Sequence, residues 1–262
     1  MCMTCGCGTT SDHEEHPHQH DHHHSHDHGH SHDHHHGMEH NQSDTRLVRV
    51  EQELLAKNNA IAEQTRVYLR ERNMLALNLV SSPGAGKTTL LEKTLTGLRE
   101  RYHFVVIEGD QQTDNDALRI EATGAPVLQI TTGQVCHLDA QMVQNALFRL
   151  DPAKGSIVMI ENVGNLVCPA MFDLGEAAKV VVASTTEGAD KPAKYPYMFR
   201  EAGLILLNKI DLLPHLDFNT ESFEAMAHAI NPEARIIPLS ATTGEGMEEW
   251  HQWLEERMAV HG

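Results

Sequence analysis

The chain has 262 residues, a hydrophobic content of 40% and a formal net charge of −17 with histidines counted as neutral. This length supports one domain with a sizeable core. The acidic balance argues against binding along a nucleic-acid backbone, which requires clustered Lys and Arg. No apolar stretch reaches the length of a membrane helix, and none follows the first methionine as a secretory signal would. We therefore expect a cytoplasmic protein with neither a nucleic-acid nor a membrane partner.

The first residues carry three closely spaced cysteines, Cys2, Cys5 and Cys7. This crowding suits a bound metal ion better than a disulfide framework, and it fits a reducing cytosol. Square-planar coordination by sulfur and nitrogen would suit Ni²⁺, whereas a tetrahedral thiolate set would suit Zn²⁺. The sequence is compatible with either metal at these cysteines.

Residues 11–40 are mostly His, Asp, Glu, Gly and Ser, and fifteen of the 21 histidines lie between His13 and His40. Such a segment buries too little apolar surface to offset its ordering entropy, so it is predicted to be disordered. Its imidazoles suit several Ni²⁺, Zn²⁺ or Cu²⁺ ions. The alternative is an expression tag, but the interspersed Asp, Ser and Gly argue against one. We predict a metal-binding tail over residues 1–42 and a nucleotide-binding domain with a leading helix over residues 43–262.

The remaining chain predicts a doubly wound, mainly parallel α/β sheet. A helix with an apolar stripe broken at Asn58 and Asn59 is expected over residues 45–72, with Ser43 or Asp44 as its cap. Short apolar runs then alternate with stretches long enough for helices, which is typical of a parallel sheet covered on both faces. These runs are residues 75–80, 104–107, 127–130, 157–160, 180–183, 204–207 and 236–239. A final helix over residues 247–258 places Trp250, Trp253 and Leu254 on its core side.

A P-loop sequence follows the first predicted strand, at residues 81–89. Small residues there let backbone N–H groups surround a phosphate at a helix N-terminus. The predicted nucleotide contacts are Gly84, Ala85, Gly86, Lys87, Thr88 and Thr89. Lys87 should reach the terminal phosphates, and the Thr88 hydroxyl should hold Mg²⁺. Ser81 replaces the first glycine of the general motif, and an ordinary tight turn is the alternative.

Two acidic residues follow predicted strands at the same end of the sheet. Asp110 is expected to support Mg²⁺ and to lie near the attacking water, and Glu161 is expected to share in catalysis. The sequence Glu-Asn-Val-Gly at 161–164 resembles the switch motif in which the N–H of Gly164 senses the γ-phosphate, with Glu in place of the usual Asp. The alternative is that both carboxylates are solvated loop residues.

The sequence Asn-Lys-Ile-Asp at 208–211 resembles the guanine-recognition sequence of GTPases. Asp211 can accept from both guanine N–H donors, Lys209 would lie along the base, and Asn208 would brace the loop. Ser240 and Ala241 follow the last predicted strand, where backbone amides could meet the guanine oxygen. The pattern favours GTP over ATP.

A second group of potential metal ligands comprises Cys136, His137 and Cys168. Cys168 lies close in sequence to the switch motif, so a metal held there would respond to the nucleotide. A lone cysteine is often a small buried hydrophobe, which is the alternative.

The order of these motifs resembles the HypB family, which assists nickel insertion into [NiFe]-hydrogenase. The resemblance implies a P-loop fold of the SIMIBI class, shared with nitrogenase iron protein and signal-recognition GTPases. It implies slow hydrolysis of GTP to GDP and phosphate, dimerisation on GTP binding, and an interface metal site formed by Cys136, His137 and Cys168. The implied partners are a HypA-type accessory protein, a nickel-delivery prolyl isomerase and the hydrogenase large-subunit precursor. Only some members carry the motif at residues 2–7.

Three alternative functions follow from the same residues. A urease-accessory GTPase shares the P-loop, nickel and often a histidine tail, but residues 2–7 and the Cys136-His137 pair favour the hydrogenase system. A passive nickel store would use the tail alone. A small-molecule kinase is disfavoured by the guanine-recognition sequence at 208–211.

Overall fold

The computed structural model describes residues 39–110, 115–133 and 135–261. The predicted cysteine motif and nearly all of the histidine tail lie outside these residues. Seven strands are present, all at the predicted runs: β1 (Leu75–Ser81), β2 (Phe104–Asp110), β3 (Val127–Thr131), β4 (Ile157–Glu161), β5 (Ala178–Ser184), β6 (Ala202–Asn208) and β7 (Ile236–Pro238).

Within the described part of the chain, nine α-helical segments connect or flank these strands. They are α1 (Glu39–Glu71), α2 (Lys87–Leu98), α3 (Asn115–Glu121), α4 (Ala140–Leu150), α5 (Cys168–Met171), α6 (Lys191–Lys194), α7 (Pro196–Arg200), α8 (Thr220–Ile230) and α9 (Met247–His261). Short 3₁₀ segments cover Thr185–Glu187 and Ile210–His215. None of the described helices has both the length and the apolar composition needed to cross a bilayer.

The strands form one sheet in the order β3-β2-β4-β1-β5-β6-β7, and every pairing is parallel. This confirms the predicted doubly wound α/β class. Strand β1 lies between β4 and β5 and is buried along its whole length, which explains why its sequence is apolar except at Asn78 and Ser81. Most strands extend beyond their predicted apolar segment and end at a polar residue. Because the strands are parallel, these polar residues lie at the same edge of the sheet. Ligands bind at that edge in folds of this kind.

Helices cover both faces of the sheet. On one face Leu91 of α2 and Trp250 of α9 pack over β1 and β4, and Trp250 Nε1 donates to Thr94 Oγ1 at 2.8 Å. Trp253 and Leu254 are also buried, as predicted. On the other face α4 and the C-terminal part of α1 form one apolar cluster, and α7 and α8 form another.

Helix α1 differs from the prediction at its start. It begins at Glu39, so Ser43 and Asp44 lie inside the helix and neither caps it. No Gly or Pro separates Glu39 from Ser43, so nothing in the sequence stops the helix from extending upstream. Asn58, which interrupts the apolar stripe, is only 6% exposed and is fully used in hydrogen bonds described below.

Candidate functional site

A cleft of about 580 Å³ opens at the carboxyl end of β1. Its walls include residues 83–89 together with Asp110, Glu161, Gly164 and Lys209. Gly84 and Gly86 have φ values of +76° and +97°, a backbone region that glycine occupies without strain. Helix α2 starts at the next residue, Lys87, so its N-terminal N–H groups and dipole face the cleft. The loop therefore has the form of a phosphate cradle.

Lys87 is buried beside the loop, and its Nζ donates to Ser81 Oγ at 2.8 Å. Burial lowers the pKa of Lys87, and the nearby Glu161 carboxylate opposes that shift. Ser81, the residue that departs from the general motif, thus holds the lysine side chain at the base of the cleft. An anionic phosphate entering the cleft would give this buried cation a second partner.

Glu161 is the carboxylate that contacts the P-loop helix. Thr88 Oγ1 donates to Glu161 Oε1 at 2.8 Å, while Glu161 Oε2 is buried with no hydrogen-bond partner among the described residues. Burial raises the pKa of Glu161, partly offset by the charge of Lys87 and by the Thr88 bond. A hydroxyl and a carboxylate side by side are hard oxygen donors of the kind Mg²⁺ prefers. The donor set therefore fits Mg²⁺, with Asp110 on the wall of the same cleft.

Gly164 lies against the P-loop. A Cβ built on it would come within 3.1 Å of the Cα of Pro83, so a larger residue would push the two segments apart. Segment 161–164 therefore runs along the cleft from Glu161 to the P-loop. This is the position expected for a phosphate-sensing amide.

Asn208 joins the P-loop to the loops after β6 and β7. Its Nδ2 donates to Ala85 O at 2.9 Å, and its Oδ1 accepts from Lys209 N at 2.8 Å and from Ala241 N at 3.1 Å. This arrangement matches the predicted bracing role. Because the Ala241 amide is used here, its contact with a guanine oxygen stays a prediction, as does that of Ser240.

Lys209 lies on the wall of the cleft, and Asp211 follows it in the 3₁₀ segment Ile210–His215. Lys209 has a left-handed backbone with φ +64°, and its Nζ donates to Gly84 O at 2.7 Å. Thr185 Oγ1, after β5, donates to Lys209 O at 2.8 Å and fixes this conformation. Within the described part of the chain, the buried Oδ1 of Asp211 has no hydrogen-bond donor. A buried acceptor of this kind suits paired N–H donors on a ligand.

The structure also brings the three residues of the second predicted site close to one another. Donor atoms of Cys136, His137 and Cys168 all lie within 4.8 Å of one another. The Cys136 thiol donates to Cys168 Sγ, with the two sulfur atoms 3.0 Å apart. Two sulfurs and one imidazole nitrogen form a set typical of Ni²⁺ or Zn²⁺.

The environment of His137 favours the neutral, metal-binding imidazole. Its ring stacks on Phe172 with 3.9 Å between centroids, and burial lowers its pKa against the opposing charge of Asp139. Its Nδ1 is buried and has no partner in the described residues. A neutral imidazole has one unprotonated ring nitrogen, whose lone pair can bind a metal.

Several residues at these sites have no sequence signal. Arg119 and Asp116 of α3 line the cleft, and Arg119 Nη2 donates to Thr89 Oγ1 at 3.0 Å and to Glu92 Oε2 at 2.6 Å. Phe172 stacks on His137 from a different segment of the chain. Only the folded arrangement reveals these contacts, because no motif spacing relates the residues involved.

Comparison with known proteins agrees with this geometry. Residues 75–238 match the family model described as CobW/HypB/UreG, nucleotide-binding domain. The hydrogenase maturation factor HypB of Escherichia coli K12 is 58% identical over 213 residues, which cover 81% of this chain and 73% of that protein.

Two crystal structures also resemble the chain. The hydrogenase maturation factor HypB of Archaeoglobus fulgidus is 39% identical with a TM-score of 0.73, covering 78% of this chain and 99% of that one. HypB of Helicobacter pylori, crystallised in complex with nickel, is 36% identical with a TM-score of 0.72. The match covers 78% of this chain and 96% of that one. With its P-loop cleft, its guanine-type loop and these relatives, the chain belongs to the HypB family of hydrogenase maturation factors.

Proposed function

We propose that the chain is a GTP-hydrolysing nickel metallochaperone that assists nickel insertion into the [NiFe]-hydrogenase large-subunit precursor. One observation carries the proposal: segment 161–168 begins at the carboxylate bonded to Thr88 and ends at Cys168, beside Cys136 and His137. A change at the nucleotide therefore has a short covalent path to the metal ligands. The nickel complex of the Helicobacter pylori relative supports nickel as the cargo.

In this proposal the cleft binds GTP through the P-loop amides and Lys87, with Asp211 accepting from the guanine N–H groups. Mg²⁺, held by Thr88 with Asp110 or Glu161, would neutralise charge on the β- and γ-phosphates. Water attacks the γ-phosphorus, the bond to the bridging oxygen breaks, and GDP and phosphate leave. Asp110 would orient the water, and the amide of Gly164 would contact the γ-phosphate.

Cys136, His137 and Cys168 would bind the nickel that is passed on, with Zn²⁺ as a competing occupant. As an extension of the proposal, this site lies at the interface of a dimer that forms on GTP binding. Residues 1–42 would add nickel binding through Cys2, Cys5, Cys7 and the histidines. A HypA-type accessory protein and a prolyl isomerase would exchange nickel with the chain in the cytoplasm.

The test of this function is the substitution Lys87→Ala in cells that require the chain for hydrogenase. Loss of the buried cation should abolish GTP hydrolysis and hydrogenase maturation, while nickel accumulation through the tail continues. Retained maturation would contradict the proposal and favour a passive nickel store. Co-purification with a urease precursor in place of a hydrogenase precursor would favour the urease-accessory alternative.

A further inference from the structure

Three asparagine side chains hold residues 136–140, which we call the ligand loop because it carries Cys136 and His137. Asn58 comes from α1, whereas Asn162 and Asn165 both come from the segment after β4, and each of the three bonds a different backbone group of the loop. The bonds are from Asn165 Nδ2 to Cys136 O at 3.4 Å, from Leu138 N to Asn162 Oδ1 at 3.1 Å and from Ala140 N to Asn58 Oδ1 at 2.8 Å. The ligand loop is thus fixed on both sides of His137.

Asn162 differs from the other two because it directly follows Glu161. Its backbone N–H donates to Leu79 O at 3.0 Å, which ties it to the strand that leads into the P-loop. Its Oδ1 also accepts from Val163 N at 3.0 Å, and the residue is only 2% exposed. The main chain of Asn162 is therefore bonded to the strand that leads into the P-loop, while its side chain is bonded to the ligand loop.

A buried polar chain fixes the orientation of the Asn162 carboxamide. The Glu176 carboxylate accepts from Lys179 Nζ at 3.0 Å and from Asn78 Nδ2 at 3.1 Å. Asn78 Oδ1 consequently faces Asn162 and accepts from its Nδ2 at 3.2 Å. With its amide nitrogen so used, Asn162 must present its oxygen to Leu138 N. The roles of Leu138 N as donor and Asn162 Oδ1 as acceptor are therefore fixed. Because Asn162 is buried, water does not compete for this hydrogen bond.

We propose that Asn162 is the positioning residue that transmits the nucleotide state from Glu161 to the metal ligands Cys136 and His137. The inference rests on the proposed function and specifies its path. When the Thr88–Glu161 bond gives way to nucleotide-dependent contacts, the adjacent Asn162 shifts and moves the ligand loop through Leu138. Because Cys136 and Cys168 sulfurs lie only 3.0 Å apart, a small displacement alters the donor geometry.

Asn58 provides the matched control. It holds the same loop at Ala140, and its Nδ2 donates to Asp173 O at 2.7 Å, next to Phe172. It comes from α1, which has no residue in the nucleotide cleft. Removing it should loosen the ligand loop without interrupting the path from Glu161.

The experiment uses the full chain with Cys2, Cys5 and Cys7 replaced by Ser in every sample. Of the five cysteines, only Cys136 and Cys168 can then give thiolate-to-nickel charge-transfer absorption, and histidines of the tail stay silent at that band. Nickel affinity is measured from this band against a competing chelator, first with GDP and then with a nonhydrolysable GTP analogue. We expect the two dissociation constants to differ by at least about fivefold when Asn162 is present.

In the Asn162→Ala variant the two dissociation constants should agree within about twofold. Asn58→Ala should weaken nickel binding in both nucleotide states and keep the original ratio. GDP affinity and the thermal unfolding midpoint confirm that each variant is folded. If Asn162→Ala does not fold, Asn162→Thr decides, because its side chain has similar volume but its hydroxyl is too short to reach Leu138 N.

The outcomes distinguish a wrong assignment of Asn162 from a wrong proposed function. A preserved ratio in the folded Asn162 variant, or an equal loss of the ratio in Asn58→Ala, would overturn the assignment of Asn162 while leaving the proposed function intact. Equal dissociation constants in the protein that retains Asn162 would overturn the proposed coupling itself, and this inference with it.

Discussion

Burial sets the chemistry of the individual residues at both sites. Lys87 and Glu161 are both nearly inaccessible, and burial moves their pKa values in opposite directions, down for the lysine and up for the carboxyl group. Each opposes the other's shift through its charge. Binding a phosphate with Mg²⁺ places new charges beside both groups, so the two side chains are positioned to respond to the nucleotide.

Asp211 should determine which base binds. The Asp211→Asn change removes the carboxylate that is predicted to accept both guanine N–H groups, and hydrogen bonds to a charged group are worth about 1.5–3 kcal/mol each. We expect GDP affinity to fall by roughly 10²-fold and affinity for xanthosine diphosphate to rise, measured by displacement of a fluorescent nucleotide. The exposed Asp217→Asn is the control. An unchanged preference for GDP in Asp211→Asn would contradict the assignment.

Glu161 should act in hydrolysis more than in binding. Glu161→Gln keeps an oxygen that accepts from Thr88 but removes the charge, so GDP affinity without Mg²⁺ should stay within about threefold. Mg²⁺-dependent GTP turnover should fall by about 10²-fold, measured by phosphate release. The exposed Glu121→Gln serves for comparison. Turnover equal to that of the unsubstituted chain would make Glu161 a purely structural residue.

For individual residues, the sequence predicts the positions of side chains that belong to one contiguous motif. Lys87 and Thr88 line the cleft and Asn208 bonds the P-loop, as their motifs indicate, since each motif contains its own local geometry. The contact of Asp211 with guanine stays a prediction. The role of Ser81 as the partner of Lys87, and the stacking of Phe172 on His137, depend on contacts between segments and have no local pattern.

Among the elements, strand ends and loops bring the functional groups together. The apolar runs predicted all seven strands, because a central parallel strand must be apolar on both faces. The start of α1 was predicted wrongly, since Ser43 and Asp44 favour caps but do not enforce them. The break in its stripe at Asn58 is explained only by the loop that this residue holds.

Gly86 should be essential where the P-loop meets the guanine-recognition loop. A Cβ at Gly86 would lie 2.5 Å from Asn208 Nδ2, which is already bonded to Ala85 O. Gly86→Ala should lower the free energy of unfolding by about 3 kcal/mol, from strain at positive φ and from this overlap. Gly124→Ala, with φ +86° and open space around its Cβ, should cost only about 1 kcal/mol.

Urea denaturation of the two variants measures both free energies. Equal losses would mean that backbone strain alone governs Gly86, and that Asn208 can move away from the P-loop without cost. A markedly larger loss for Gly86→Ala would establish that the two loops are packed as one unit.

For the whole molecule, the central feature is that one edge of the sheet carries both sites. Strands β1, β2 and β4 end at the nucleotide cleft, and the segment after β4 continues to Cys168. The sequence predicted that these sites would be neighbours, because Cys168 follows the switch motif closely. That Cys136 and His137 meet Cys168 was implied by the family resemblance and not by motif spacing, since the meeting depends on strand order and on the path of the ligand loop.

The most direct test of the account is nickel affinity of the Cys136–His137–Cys168 site with GDP and with a nonhydrolysable GTP analogue. The thiolate-to-nickel absorption is followed in the chain whose first three cysteines are replaced by Ser, and the same chain with Cys136 and Cys168 also replaced by Ser is the control. The account predicts two binding curves separated by at least about fivefold, and loss of the signal in the control. Superimposable curves for the two nucleotides would contradict it.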